Sequence, residues 1–151
     1  MFRILIVCTA NICRSPTAEV LLSEGLQGRS VAISSAGIAA VNGDGADLEM
    51  QSLLRERGLE RITQHRSRSL LPSYVTQADL VLCMEPEHLD AVLRMHPLAT
   101  GRTKLMGHWE GLVSVDDPTG GLPSDYEKAL RDLERLSGQW ADKVVALGMC
   151  Q

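Results

Sequence analysis

Aromatic residues are scarce in this 151-residue chain: one Phe, two Tyr and two Trp, 3% of the whole. A core so poor in aromatic volume must be filled by Leu, Val, Ile and Ala. No run of 18 apolar residues occurs, which argues against a membrane-spanning helix and membrane insertion. The opening "MFRILIVC" is too short for a signal peptide and runs straight into polar residues, so the expected compartment is the cytoplasm. Basic excess is also lacking. The net charge is −4, which argues against nucleic acid or an anionic membrane as the main partner. Cysteines number four, Cys8, Cys13, Cys83 and Cys150, with no C-x-x-C pair among them. In a cytoplasmic chain they are expected as thiols, not as a disulfide framework. The four His are scattered, so neither a metal nor a cofactor is expected.

What is present fits one domain spanning residues 1–151, mostly monomeric, with 44% hydrophobic residues to build its core. "FRILIVC" (Phe2–Cys8) is a continuous apolar run with β-branched residues, the pattern of a strand buried on both faces. Ser15-Pro16 suits an N-cap followed by the first helical position. "VAISSAG" (31–37) reads as a second strand, and a helix follows over about 47–57, closed by Gly58. "HRSRSL" (65–70) reads as a loop entering a short helix. "ADLVLCM" (78–84) and "TKLMGHW" (103–109) supply two more strands around a helix over 86–96. A long amphipathic helix ends the chain. Its apolar positions, Ala129, Leu130, Leu133, Leu136, Trp140 and Val144, recur every three to four residues. Alternation of strand and helix implies an α/β fold: three layers, a four-stranded parallel sheet with helices on both faces. Ligands on such sheets bind beyond the carboxyl ends of the strands, where Cys8 lies.

The turn after the first strand, "VCTANICRSP", carries the chemistry. Wrapped over a helix N-terminus, Thr9, Ala10, Asn11, Ile12, Cys13, Arg14 and Ser15 can point main-chain N–H groups into one concavity, a phosphate loop. Arg14 adds a planar fork for two phosphate oxygens. A thiol at the centre, Cys8, is favoured as thiolate by the same field. Asn11 can brace the turn, and the Ser15 hydroxyl can donate to the Cys8 sulfur. The charge distribution agrees. Residues 1–75 hold 8 Lys/Arg against 7 Asp/Glu, and the remainder 7 against 12. Attack on phosphorus needs a proton donor for the departing oxygen. "SVDDP" offers Asp116 and Asp117, and the residue before a proline is held extended, which projects Asp117.

These segments resemble the low-molecular-weight protein tyrosine phosphatases, whose phosphate loop reads V-C-x-G-N-I-C-R-S-P and whose general acid immediately precedes a proline. "SSAGI" and "ADLVLCMEPEHL" are similar to family segments in order and spacing. The resemblance implies Cys8 as nucleophile, Arg14 as phosphate-binding arginine and Asp117 as acid, with Asn11 and Ser15 as loop supports. "SAGIAAVNGDGAD", "HRSRSL" and "GHW" are closer to the bacterial branch associated with capsule and exopolysaccharide production. That implies a phosphotyrosine protein substrate, an autophosphorylated bacterial tyrosine kinase. Ile12, Val41 and Thr119 then line the substrate pocket. Two positions depart from the pattern. Ala10 replaces the usual glycine, which is tolerable only at negative φ. Thr119 replaces an aromatic that often flanks the substrate ring, leaving Tyr126 or the aliphatic Ile12 and Val41 as the wall. Cys13, in the same tight loop as Cys8, is expected to resolve an oxidised Cys8 as a disulfide.

Two rivals share this scaffold. Arsenate reductase would need a relay of further cysteines, and Cys83 has no second Cys a few residues downstream. Protein-arginine phosphatases tend to have threonine at the position of Ile12. A module that merely binds phosphate leaves both nucleophile and acid unexplained. His65 and His108 read as hydrogen-bonding residues, and Trp109 and Trp140 as packing residues.

Overall fold

A computed structural model describes all 151 residues. Four parallel strands, β1 (Phe2–Cys8), β2 (Val31–Gly37), β3 (Leu80–Cys83) and β4 (Thr103–Leu105), lie in the order β2-β1-β3-β4. The helices are α1 (Arg14–Gly25), α2 (Leu48–Glu56), α3 (Pro72–Gln77), α4 (Pro86–Met95) and α5 (Pro123–Ala146), with 310 turns at Glu60–Gln64 and Pro97–Arg102. The expected α/β class, sheet and layers are all present.

The unbroken apolar run of β1 follows from its place in the middle of the sheet. Ile4, Ile6 and Cys8 face α1 and α5, packing with Leu22, Leu133, Leu136 and Trp140. Leu5 and Val7 face the other way, toward α3 and α4, packing with Val75, Val81 and Val92. Each such side chain contributes roughly 1.5–3 kcal/mol when fully buried. A third cluster lies between α1, α2 and α5. It contains Met50, Leu54, Tyr126 and Leu130, and Cys13 packs into it from the loop above.

Boundaries differ from expectation at three places. The third strand is Leu80–Cys83 and the fourth Thr103–Leu105, both shorter than their apolar runs. Met106 and Trp140 explain the second case: the Met106 N–H still bonds the Cys83 carbonyl at 2.8 Å, but its own carbonyl is taken by the indole N–H at 2.9 Å, and the ladder stops there. Ser15 is not the helix cap. α1 already begins at Arg14, and Ser15 turns its hydroxyl to the sulfur of Cys8. Asp47 does cap α2 as its spacing suggests, accepting from the Met50 N–H at 3.1 Å. Ala10 has no positive φ; in this loop only Asn11 does, at 57°. Asparagine is the side chain that most readily takes that conformation.

Candidate active site

Every strand of the sheet ends on the same side, and the loop from Cys8 to Ser15 crosses that end between β1 and α1. None of its main-chain N–H groups from Thr9 through Ser15 donates to a main-chain oxygen. Two of the seven belong to the first turn of α1, where helix geometry leaves them unpaired. The other five are unpaired because the loop curves around its own concavity. Such a row of donors at a positive helix end is an oxyanion site.

A chain of side-chain hydrogen bonds orients the sulfur's neighbour. The Asn11 amide nitrogen donates to Ser15 Oγ at 2.8 Å and to Ser35 Oγ at 2.9 Å. Ser35 in turn donates to Glu19 Oε1 at 2.6 Å. Ser15 Oγ accepts from Asn11 and lies 2.9 Å from Cys8 Sγ, so when the sulfur is a thiolate the hydroxyl donates its proton to it. The remaining groups of Asn11 are also used. Its side-chain oxygen accepts from the Arg68 N–H at 3.0 Å, and its carbonyl accepts from His65 Nε2 at 2.7 Å. A buried Asn with its whole side chain and its carbonyl paired holds the turn in one shape, while its main-chain N–H stays free for an anion. Gly37, at the end of β2, backs this turn: a Cβ there would strike the Thr9 carbonyl and the Asn11 nitrogen.

Arg14 is 3% exposed, and its Nη1 donates to Glu85 Oε2 and to the Val115 carbonyl, both at 2.8 Å. These two partners leave the other guanidinium edge for an anion. The two carboxylates of "SVDDP" separate here. Both border a groove against α5 with Asp125 and Asp132, but only Asp117 reaches Arg14, its Oδ2 standing 4.0 Å from Nη2. Asp117 is 49% exposed, and its Oδ1 accepts from the Thr119 N–H at 3.0 Å.

Thr119 is exposed, and its side chain lies beside Cys13, where the acid loop meets the phosphate loop. Ile12 is half-buried and Val41 exposed, both on the same side of the sheet. Tyr126 is not the missing aromatic wall. It is 4% exposed, and its hydroxyl is engaged by Asp47 at 3.0 Å and by the Gly120 N–H at 3.3 Å. Cys13 is buried. Desolvation, reinforced by Asp47, Asp117 and Cys8, pushes its thiol well above the ordinary range. Cys83 lies on the α3/α4 face of the sheet, opposite Cys8, and burial pushes its thiol up too. No cysteine relay beyond Cys13 therefore reaches Cys8.

Two residues escaped the sequence reading. Glu85 and His88 open α4 as a reciprocal cap: the Glu85 N–H donates to His88 Nδ1 at 3.1 Å. That bond places the ring proton on Nε2, which donates to Thr9 Oγ1 at 2.9 Å. Burial and the nearby Arg14 charge lower the His88 pKa to about 4, so the ring is neutral near pH 7. The E-x-x-H spacing after the third strand is the signal that could have marked them.

A thiol, a bound guanidinium and a half-exposed carboxylate around free N–H groups define a phosphomonoesterase that works through cysteine. The chain belongs to the low molecular weight phosphotyrosine protein phosphatase family, whose model matches residues 3–147. Members of that family are hydrolases with a cysteine nucleophile. A similar protein is the probable low molecular weight protein-tyrosine-phosphatase AmsI of Erwinia amylovora. It is 36% identical over 139 residues, covering 92% of this chain and 94% of that one. Among solved structures, Wzb of Vibrio vulnificus in complex with benzylphosphonate superposes with a TM-score of 0.88. It is 33% identical, covering 94% of this chain and 98% of that one. The YwlE arginine phosphatase of Geobacillus stearothermophilus gives 0.91 at 33% identity, covering 99% and 96%.

Proposed function

We propose that this chain hydrolyses the phosphate ester of tyrosyl residues in proteins, in two steps. The Cys8 thiolate attacks phosphorus in line, forming an S–P bond while the P–O bond to the tyrosyl oxygen breaks. Asp117 gives its proton to that oxygen. The resulting carboxylate takes a proton from water, whose oxygen attacks phosphorus. The S–P bond then breaks and inorganic phosphate leaves. The N–H groups of residues 9–15 and the free edge of Arg14 hold the equatorial oxygens throughout. The observation that carries this reading is the Ser15 hydroxyl, which accepts from Asn11 and lies 2.9 Å from the Cys8 sulfur, placed to donate to its thiolate. It stabilises that sulfur both as nucleophile and as leaving group.

The branch resemblance supports an autophosphorylated bacterial tyrosine kinase of exopolysaccharide or capsule production as the substrate, with residues 1–151 as one mostly monomeric cytoplasmic domain. A second reading, phosphoarginine hydrolysis, is favoured by the arginine phosphatase likeness. Ile12 supports tyrosine over it, because an apolar side chain suits an aryl ring better than a charged guanidinium. Turnover of phosphotyrosine, phosphoarginine and arsenate by the pure protein, measured side by side, tests the assignment. Cys8→Ser should abolish turnover yet still bind phosphate, because the donors are main chain. Phosphoarginine turned over faster than phosphotyrosine would overturn the proposal.

A further inference from the structure

β2 is an edge strand with no neighbour on its outer side. Alternate residues of a parallel strand serve each neighbour. The bonds Phe2 N–H to Ser30 O and Ile38 N–H to Cys8 O place Ser30, Ala32, Ser34 and Ala36 toward β1. Val31, Ile33, Ser35 and Gly37 therefore turn their main chain outward. At the upper end these groups are taken. Gly37 pairs with Arg68 and Leu70, and the Arg68 Nε donates to Ser35 O at 2.8 Å. Below that point the Val31 carbonyl, both groups of Ile33 and the Ser35 N–H have no acceptor or donor in the chain. They form an open stretch of ladder along this edge of the sheet.

Grooves flank this stretch on both faces of the strand. One, of about 250 Å³, lies over Leu5, Ala32 and Ser34 and is lined by Arg3, Arg68 and Tyr74. The other, of about 390 Å³, lies beside Val31 and Ile33 and is lined by Arg29 and Arg61. Neither groove has a carboxylate in its lining. None of these four arginines is in an ion pair, although Arg14, Arg55, Arg57 and Arg135 are. Two carboxylates border the stretch without pairing with these arginines: Asp79 accepts from the Arg3 main-chain N–H at 2.8 Å, and Glu19 accepts from the Ser35 hydroxyl at 2.6 Å. The chain is acidic overall, so four unpaired arginines along one edge are a local inversion of its charge. Charge on an edge keeps a second copy from pairing there. The same charge attracts an extended segment of opposite sign.

We infer that the β2 edge is a docking site for an extended acidic peptide segment of the phosphoprotein substrate, held by main-chain pairing at Val31–Ser35 and by the arginines of both grooves. This rests on the phosphotyrosine-protein activity proposed above. A strand added outside β2 lies two strand spacings from β1, and Ser35 is two residues short of the level of Cys8. Its near end is then roughly 12 Å from the nucleophile, given 4.8 Å between strands and 3.3 Å per residue. About four to six residues span that gap, with some slack for the turn over the 65–70 segment. The docked strand also touches the support of the phosphate loop, because Arg68 joins Ser35 to Asn11.

The test uses two synthetic phosphotyrosine peptides. They differ only in a four-residue segment, Glu or Gln, placed five residues from the phosphotyrosine. On the unaltered enzyme the acidic peptide should show a KM about tenfold lower, with kcat unchanged, and the advantage should shrink at high salt. The triple substitution Arg3→Glu, Arg29→Glu and Arg61→Glu should erase the advantage and leave p-nitrophenyl phosphate turnover as it was. The unphosphorylated acidic peptide should shift the amide NMR signals of Ile33 and Ser35 in the unaltered protein. Equal KM values for the two peptides, or an advantage that survives the triple substitution, would overturn the docking site. So would self-association by sedimentation with no peptide-induced shift at β2, which would assign the edge to a second copy. Failure to cleave either peptide defeats the activity proposal instead, and the NMR arm still decides the docking site.

Discussion

The two loops that meet over Arg14 are built in opposite ways. The turn after β1 is mostly buried and braced by its side chains, with only its main-chain N–H groups left free: Asn11 alone engages Ser15, Ser35, Arg68 and His65. The loop after β4 is mostly exposed from Gly111 to Leu122, with Val115 and Pro118 buried as its anchors. It hangs on a few contacts: the Val115 carbonyl on Arg14, Thr119 on Cys13, and Gly120 on Tyr126. The difference follows from the work each is proposed to do. Phosphate oxygens need donors fixed before the substrate arrives, because reorganising dipoles during reaction forfeits their stabilisation. The acid must approach a leaving group, then admit water to the same place, which suits a loop that moves.

Breaking the comparison at its exposed side has the largest expected effect. Asp117→Asn should slow cleavage of an aryl phosphate by roughly a hundredfold or more, the scale of a positioned acid. Asp116→Asn should cost less than about threefold, because Asp116 does not reach Arg14. Steady-state kinetics on both variants checks this, and a costlier Asp116 substitution would reverse the assignment.

On the rigid side the damage should appear in stability as well as rate. Asn11→Ala leaves Ser35, Ser15 and the Arg68 N–H short of partners and puts alanine at a φ of 57°. A loss of about 1–3 kcal/mol is expected on thermal or denaturant unfolding. Thr119→Val, on the acid loop, should lower the midpoint little. Equal losses from the two would show that the loops are not built differently after all.

His88 sharpens the contrast through pH. Its folded pKa is lowered to about 4 from the ordinary 6.5. The unfolded chain therefore binds the extra proton first as pH falls. The stability present above pH 6.5 should decline between about 6.5 and 4, as Nδ1 would have to give up the Glu85 N–H. His88→Gln should flatten that part of the stability profile. The unaltered slope in the variant would mean that other groups cause it.

The smallest effect concerns oxidation. Peroxide converts the Cys8 thiolate to a sulfenic acid, and Cys13 can then displace water from it to form a disulfide. Cys13→Ser should keep most of its activity but recover poorly under reductant after peroxide. Undiminished recovery would rule out Cys13 as the protecting thiol. The burial that keeps Cys13 protonated makes this step slow, so the difference should widen with exposure time.

The rigid loop was largely legible because it is one contiguous run between a strand and a helix. Cys8, Asn11, Arg14 and Ser15 announce themselves together in "VCTANICRSP". What holds that run in place was not legible, because it comes from distant segments. Ser35, His65, Arg68, Glu85 and His88 lie 27 to 80 residues away from Cys8 and carry no local mark of their partners. Ser15 misled for a related reason. Serine before proline is a good helix-capping pattern, and of the two uses read for Ser15 the fold keeps only the bond to the Cys8 sulfur. The fold was readable from alternation of apolar runs and helical spacing. The strand ends were not, since Met106 and Trp109 extend the apolar pattern of β4 while belonging to an aromatic contact with His108 and Trp140.

Cys8 is 2% exposed. A sulfur so recessed sets a minimum reach on whatever it attacks. The phosphorus of phosphoserine or phosphothreonine sits only three bonds from the main-chain Cα, and the bulk of a polypeptide would meet the rim before phosphorus met sulfur. A phosphate at the far end of a tyrosyl ring, or of an arginyl stem, extends far enough. Depth thus sorts substrates by length before any side chain reads their chemistry. It leaves the finer choice between a flat ring and a charged stem to Ile12 and its neighbours.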